Sequence, residues 1–204
     1  LRSFFPKHYG FEAFAKGQEQ RYYSNFDIKG RATSIKPIHY QKYEKGAFSK
    51  LWRIELQTKL AEVFIENASR KRRPFFLYLS YFAPHAPLED IPQKYLHRFD
   101  SARIQSRHQF PENRLAGLAS LAAIDNGVGH ILQKLDSLDI LENTIIFFMS
   151  DNGGIDNKSK DNHGISLNHP WRGGKGQLFE GGIRIPYIVS VSYTHLTLPT
   201  IVRV

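Results

Sequence analysis

Not one of the 204 residues is cysteine, which excludes disulfide bridges, thiolate metal sites and a cysteine nucleophile from the chemistry of this chain. No uninterrupted apolar run approaches the roughly 20 residues that a membrane-spanning helix needs, so no membrane span is expected. The N-terminus, Leu1-Arg2-Ser3-Phe4-Phe5, has neither an initiating methionine nor a signal-peptide layout, and the chain is expected to start in mid-protein. Acidic residues are the scarcer sign: 19 Asp and Glu against 28 Lys and Arg leave a net charge of +9. Such a balance attracts anionic glycans and nucleic acid alike and does not choose between them. The one dense basic cluster, Arg70-Lys71-Arg72-Arg73, follows a helical pattern and reads as a solvated helix end. Aromatic-rich RNA-binding signatures are missing, and no nucleic acid partner is expected.

With 41% hydrophobic and 23% charged residues the chain has enough apolar surface to bury a core and the length of one domain or a large piece of one. Residues 1–47 are polar and aromatic with Gly and Pro punctuation, the composition of an irregular surface region with short extended pieces. A helix is then predicted from Trp52, Leu56, Leu60 and Phe64, which recur every four residues with Val63 beside them. Phe75-Phe76-Leu77-Tyr78-Leu79 has the look of a strand buried on both faces, broken by the loop Ala83-Pro84-His85-Ala86-Pro87. A second helix is predicted from near Asn113 to Leu135, in which Gly127 and Gly129 mark close packing or a local weakening. Thr144 to Met149 and Ile185 to Ser190 are further strand candidates. Strand, loop, helix, strand, polar loop is the grammar of an α/β domain with a largely parallel sheet.

In open α/β sheets ligand sites form beyond the carboxyl ends of strands. Asp151 and Asn152 follow one strand candidate directly, and His85 follows another by a few residues. A carboxylate beside a carboxamide offers hard oxygens suited to calcium or magnesium, although Asp-Asn-Gly-Gly is also an ordinary turn sequence. Lys175, flanked by glycines in Arg172-Gly173-Gly174-Lys175-Gly176, supplies a compact positive charge for a tetrahedral oxyanion. Taken alone, that segment reads equally as a flexible basic loop.

Several of these signatures occur together and in order. The Pro74 to Tyr81 run followed by Ala83-Pro84-His85-Ala86-Pro87, the Asp125-Asn126-Gly127-Val128-Gly129 helix, Ser150 to Gly154, Arg172 to Gly176, and Glu180 to Pro186 resemble the arylsulfatase-like type I sulfatases of the alkaline phosphatase superfamily. The resemblance is strong over residues 75–190 and weaker before them. It implies a largely parallel central sheet with helices on both faces, present here incompletely. Its calcium site, with magnesium the lesser candidate, would draw on Asp151 and Asn152, together with aspartates upstream of Leu1. His85 and Lys175 would bind sulfate oxygens and act catalytically, the histidine as general acid, and Arg172 could reach the substrate. The substrate would be a sulfated small molecule or sulfated glycan, the nucleophile a formylglycine, and the compartment secreted, lysosomal or periplasmic.

The departures are equally definite. The family's Cys-x-Pro-Ser-Arg block, its paired N-terminal aspartates and its Gly-Lys-Trp-His block are not in these residues, so the chain alone is expected to be inactive. Phosphodiester or phosphonate-ester hydrolysis within the same superfamily, or a non-catalytic module for anionic glycans, are the alternatives. Residues 48–190 are expected to be the C-terminal part of the catalytic domain. Val191 to Val204 resembles a translated sequencing adapter, and is expected to be a non-native tail. Arg184 is expected to pair with Glu180 in a structural salt bridge.

Overall fold

The computed structural model describes residues 15–18, 21–26 and 32–38 as paired backbone, and residues 51–85, 88, 90–107, 111–155, 166 and 168–192. In the first of these regions β1 (Ala15–Gln18), β2 (Arg21–Phe26) and β3 (Ala32–Ile38) form an antiparallel sheet in the order β1-β2-β3, with a register shift between Ser24 and Phe26. They fall in the stretch read from the sequence as an irregular surface region with short extended pieces, and pair there into a regular ladder.

The long helix α1 (Arg53–Arg70) begins where the sequence places it. Glu55, in its first turn, accepts the Trp52 N–H at 3.1 Å and so satisfies a backbone donor that the helix cannot. The apolar stripe is wider than a four-residue repeat suggests: Ile54, Leu56, Leu60, Ala61, Val63 and Ile65 are all buried, with Thr58 and Glu62 among them. Ile54, Leu56 and Ile65 are essentially inaccessible, and each contributes roughly 1.5–3 kcal/mol through the apolar area it removes from water. Two elements cover α1. One is the extended segment 75–81, which runs back along it. Phe75 meets Phe64 edge-on at 5.8 Å, Gln57 Nε2 donates to Ser80 O at 2.7 Å, and Thr58 meets Tyr81. The other is α4 (Pro111–Ser137), which packs against α1 along a face of small residues, including Gly117, Ala119, Ser120, Ala123 and Gly127.

The short helices α2 (Gln93–Leu96) and α3 (Ser101–Arg107) also pack on α4. Tyr95 of α2 enters a core made by Trp52, Ile54, Ala119, Ala123 and Ile124, and its hydroxyl donates to Glu55 Oε1 at 3.2 Å. Lys94 pairs with the same carboxylate. By length and composition α4 could cross a membrane, but here its small-residue face is buried against α1. The two glycines of α4 differ. A Cβ on Gly127 would lie 2.5 Å from Thr58 Oγ1 and 2.7 Å from the Tyr81 hydroxyl, whereas one on Gly129 would meet nothing within 4 Å. Close packing therefore explains Gly127 alone.

The expected parallel central sheet with helices on both faces is overturned. Phe75 to Leu79 joins no ladder among the described residues, and its side chains alternate: Phe75, Leu77 and Leu79 turn toward α1, while Phe76 and Tyr78 are 74% and 73% exposed. Among the described residues the other two strands, β4 (Ile146–Met149) and β5 (Tyr187–Ser190), pair only with each other, antiparallel, with Met149 opposite Tyr187 and Ile146 opposite Ser190. A parallel pair needs a crossover that carries the chain back to the starting end of the first strand. The chain instead leaves β4 and enters β5 at the same end, where Gly153 and Gly154 are hydrogen-bonded to Gly182 and Lys175. A 3-10 turn, Leu141–Asn143, links α4 to β4.

The Thr58 hydroxyl donates its one hydrogen to Ile54 O at 2.9 Å, so at the 2.8 Å contact between the two hydroxyls it is Tyr81 that donates. Burial pushes the Tyr81 phenol above its ordinary value, and the Glu62 carboxylate adds to this, while Thr58 acts the other way. Burial likewise raises Tyr95, with Glu55 adding, and the hydrogen bond to Glu55 raises Lys94. All three groups hold their protons more tightly when folded. Their contribution is whole below the ordinary values of 10.0 for tyrosine and 10.5 for lysine, and is lost as pH rises through the raised ones.

Urea midpoints should therefore fall above about pH 10, and Tyr81→Phe should flatten that fall while costing about 1 kcal/mol at neutral pH. An unchanged alkaline slope in the variant would remove Tyr81 from this account. At the helix contact, Gly127→Ala should cost about 1–2 kcal/mol by separating Thr58 and Tyr81, whereas Gly129→Ala should add up to about 1 kcal/mol, both measured by equilibrium urea denaturation.

Candidate functional site

Beyond the end of β4 and before the start of β5, two glycine-rich stretches lie backbone against backbone. Gly153 N–H donates to Gly182 O at 2.8 Å, Lys175 N–H to Gly154 O at 2.8 Å, and Gly181 N–H to Arg172 O at 2.9 Å. Approach this close leaves no room for side chains. A Cβ on Gly153 would stand 2.0 Å from Gly181 O, one on Gly181 2.1 Å from Gly173 O, and one on Gly182 2.2 Å from Gln177 O. Gly173 and Gly176 have φ of +77° and +83°, a conformation that a side chain disfavours. The short helix α5 (Glu180–Ile183) is part of this node, its Gly181 and Gly182 both buried.

The node brings the Asp151–Asn152 pair and the Arg172–Lys175 segment together through their backbones. Asp151 is exposed and Asn152 half-buried. Asn152 Nδ2 donates to Gly153 O at 2.8 Å, and Ser150 Oγ donates to Asn152 O at 2.9 Å. With its amide nitrogen so engaged, Asn152 keeps Oδ1 as an acceptor. Among the described residues no group of three or more His, Asp and Glu side chains is placed to hold a metal ion. The pair fits calcium as two hard oxygens of a larger donor set, since that ion takes six to eight.

Lys175 and Arg172 are exposed. The Arg172 guanidinium lies 4.0 Å from the Phe179 ring centroid, and that of Arg184 lies 4.1 Å from Trp171. Arg184 Nε also donates to Glu180 Oε2 at 2.8 Å, the pairing that the sequence suggests. Both side chains are about half exposed, so that ion pair adds little stability. His85 belongs to a separate turn. Its N–H donates to Phe82 O at 3.1 Å and its ring lies 5.0 Å from the Phe82 ring, over which Arg53 is also placed at 4.7 Å.

One polar residue escaped the sequence reading. Asn168 Nδ2 donates both to Gly154 O and to Gly173 O, each at 2.9 Å. The available signal was slight: an asparagine two residues before Pro170, in a stretch that composition describes only as a polar loop.

Residues 4–200 match the sulfatase family. The chain belongs to that family, within the alkaline phosphatase superfamily. It is 34% identical over 168 residues to the N-acetylgalactosamine-6-sulfatase of Mus musculus, a match covering 81% of this chain and 28% of that protein. It is also 34% identical over 161 residues to the N-acetylgalactosamine-6-O-sulfatase of Bacteroides thetaiotaomicron, covering 71% of this chain and 27% of that one. Among solved structures, Ps i-CgsB in complex with k-i-k-neocarrahexaose is similar with a TM-score of 0.61 at 30% identity, over 78% of this chain and 31% of that chain. This sulfatase chain thus spans less than a third of the length of these relatives.

The glycine node makes a sharp demand on sequence. Gly181→Ala should cost about 2–3 kcal/mol, read from urea denaturation followed by the fluorescence of Trp52 and Trp171 together; a variant as stable as the parent would show that the two backbones do not touch.

Proposed function

We propose that this chain is part of the catalytic domain of a sulfuric ester hydrolase, and that the glycine node is one wall of its sulfate-ester site. The observation that carries the reading is the Lys175 N–H to Gly154 O bond at 2.8 Å, which sets a loop bearing a free-reaching ammonium beside a loop bearing two hard oxygens. Asp151 and Asn152 would hold calcium, and a bound dication would neutralise charge on the sulfuryl oxygens. Lys175 binds an equatorial oxygen of the sulfate, aided by Arg172, because compact or forked cations suit tetrahedral oxyanions. His85 donates its proton to the departing alcohol oxygen, which makes a poor leaving group a good one. Its role is assigned on family resemblance.

The nucleophile must come from outside these residues, since they hold no cysteine to become formylglycine. The chain alone therefore binds without turning over. The names of the relatives support a sulfated sugar as the substrate class, and the net charge of +9 favours an anionic one. An exported or lysosomal compartment follows from family resemblance.

Titration of the isotopically labelled chain with inorganic sulfate should shift the Lys175 backbone amide, and Lys175→Ala should weaken binding about tenfold, the loss expected for a charge-assisted contact. The purified chain should show no calcium-dependent hydrolysis of 4-nitrophenyl sulfate. Sulfate binding that ignores Lys175→Ala, or heparin retention indifferent to calcium, would point instead to a glycan-binding module.

A further inference from the structure

We propose that Asn168 is a positioning residue of this site, given the sulfatase reading above: its carboxamide holds the loop of Asp151 and Asn152 in register with the loop of Arg172 and Lys175. Gly154 O and Gly173 O can only accept, so the side of the amide that faces them must be the nitrogen, and both of its hydrogens are used at 2.9 Å. Gly154 O also receives the Lys175 N–H at 2.8 Å, so a single carbonyl oxygen joins three stretches of chain. Asn168 is itself fixed from both sides. Upstream, Ser166 Oγ donates to Ile155 O at 2.8 Å. Downstream, Trp171 N–H closes a turn on Asn168 O at 2.7 Å, and the Trp171 ring lies beneath Arg184, which Glu180 holds in place.

The fit is also close in space, since a Cβ on Gly154 would lie 2.5 Å from Asn168 Oδ1. No other side chain of this size has two donor hydrogens on one atom without charge. Aspartate would set an anionic acceptor against two carbonyls, alanine would leave both short of a donor, and glutamine would carry the donors one methylene too far. Asn168 touches no reacting group in this scheme. It acts through two carbonyls, on the spacing between the metal-ligating pair and the sulfate-binding lysine.

The test uses the full 204-residue chain and its Asn168→Ala, Asn168→Asp and Asn168→Gln variants. Two readouts are taken by NMR: hydrogen exchange of the Lys175 and Gly153 amides, with Leu60 and Ile124 in the helical core as reference, and the shift of the Lys175 amide under inorganic sulfate. Alanine and aspartate should speed exchange at Lys175 at least about tenfold, from the loss of two bonds of ordinary strength, and weaken sulfate binding several-fold. Glutamine should fall between them and the parent, and core exchange should not move. Unchanged Lys175 exchange in the alanine and aspartate variants overturns the proposal, and so does a uniform acceleration of core and loop in all three. A parent chain that ignores sulfate defeats the reading of Lys175 as a sulfate ligand, while the exchange data still decide the role of Asn168.

Discussion

Where residues 151–154 meet residues 172–182, main chain touches main chain directly, with the Asn168 carboxamide bridging beside the contact. Two hydrogen bonds cross this seam, a third closes residues 172–181 on themselves, and Gly153, Gly181 and Gly182 have no space for even a methyl group. The arrangement has two outcomes at once. It returns the chain to the end of β4 at which it left, so that β5 has no choice but to run the other way. It also fixes an acidic and amide pair on one loop against a cationic segment on the next, with spacing set by peptide geometry, which is stiffer than any contact between long side chains.

The helical half of the molecule is built on a different logic. There the fit comes from side chains of unequal size: a small-residue face on α4 admits the bulk of α1 and Tyr95, and the polar groups of Glu55 and Thr58 find partners nearby. Glu55 shows how economical this is, since one carboxylate caps α1 and receives both Lys94 and Tyr95 from α2. Removing it would strand donors in three places, which is why buried networks of this sort fail together rather than bond by bond.

Helices were the legible part of the sequence because their signal is local. Trp52, Leu56, Leu60 and Phe64 announce α1, and the apolar residues from Leu115 to Leu135 announce α4, through a period that depends only on the next turn. Strands were legible as apolar runs but not as a sheet, since pairing is decided by residues far away along the chain. Phe75 to Leu79 has the composition of a doubly buried strand and instead lies along α1 with one face outward. The proposed site is written in the sequence only as types of residue, with Asp151, Asn152 and Lys175 each standing in a glycine-rich frame, and the bond that joins their loops left no pattern. Asn168 illustrates the limit: its importance comes from two carbonyls that are 14 and 5 residues distant, and nothing in its neighbours reports them. The suggested tail from Val191 onward lies outside the described residues after Ser192.

The outward rings of Phe76 and Tyr78 have a practical meaning for anyone handling this chain. An extended backbone that presents aromatic groups at every second position is the kind of edge to which other extended chains adhere. The pair β4 and β5 adds to it, with Phe147, Ile188 and Tyr187 all largely open to solvent. Such a surface favours self-association as concentration rises, and the +9 charge, which repels one copy from another, opposes it. Salt, by screening this repulsion, is the first thing a purification would need to keep low.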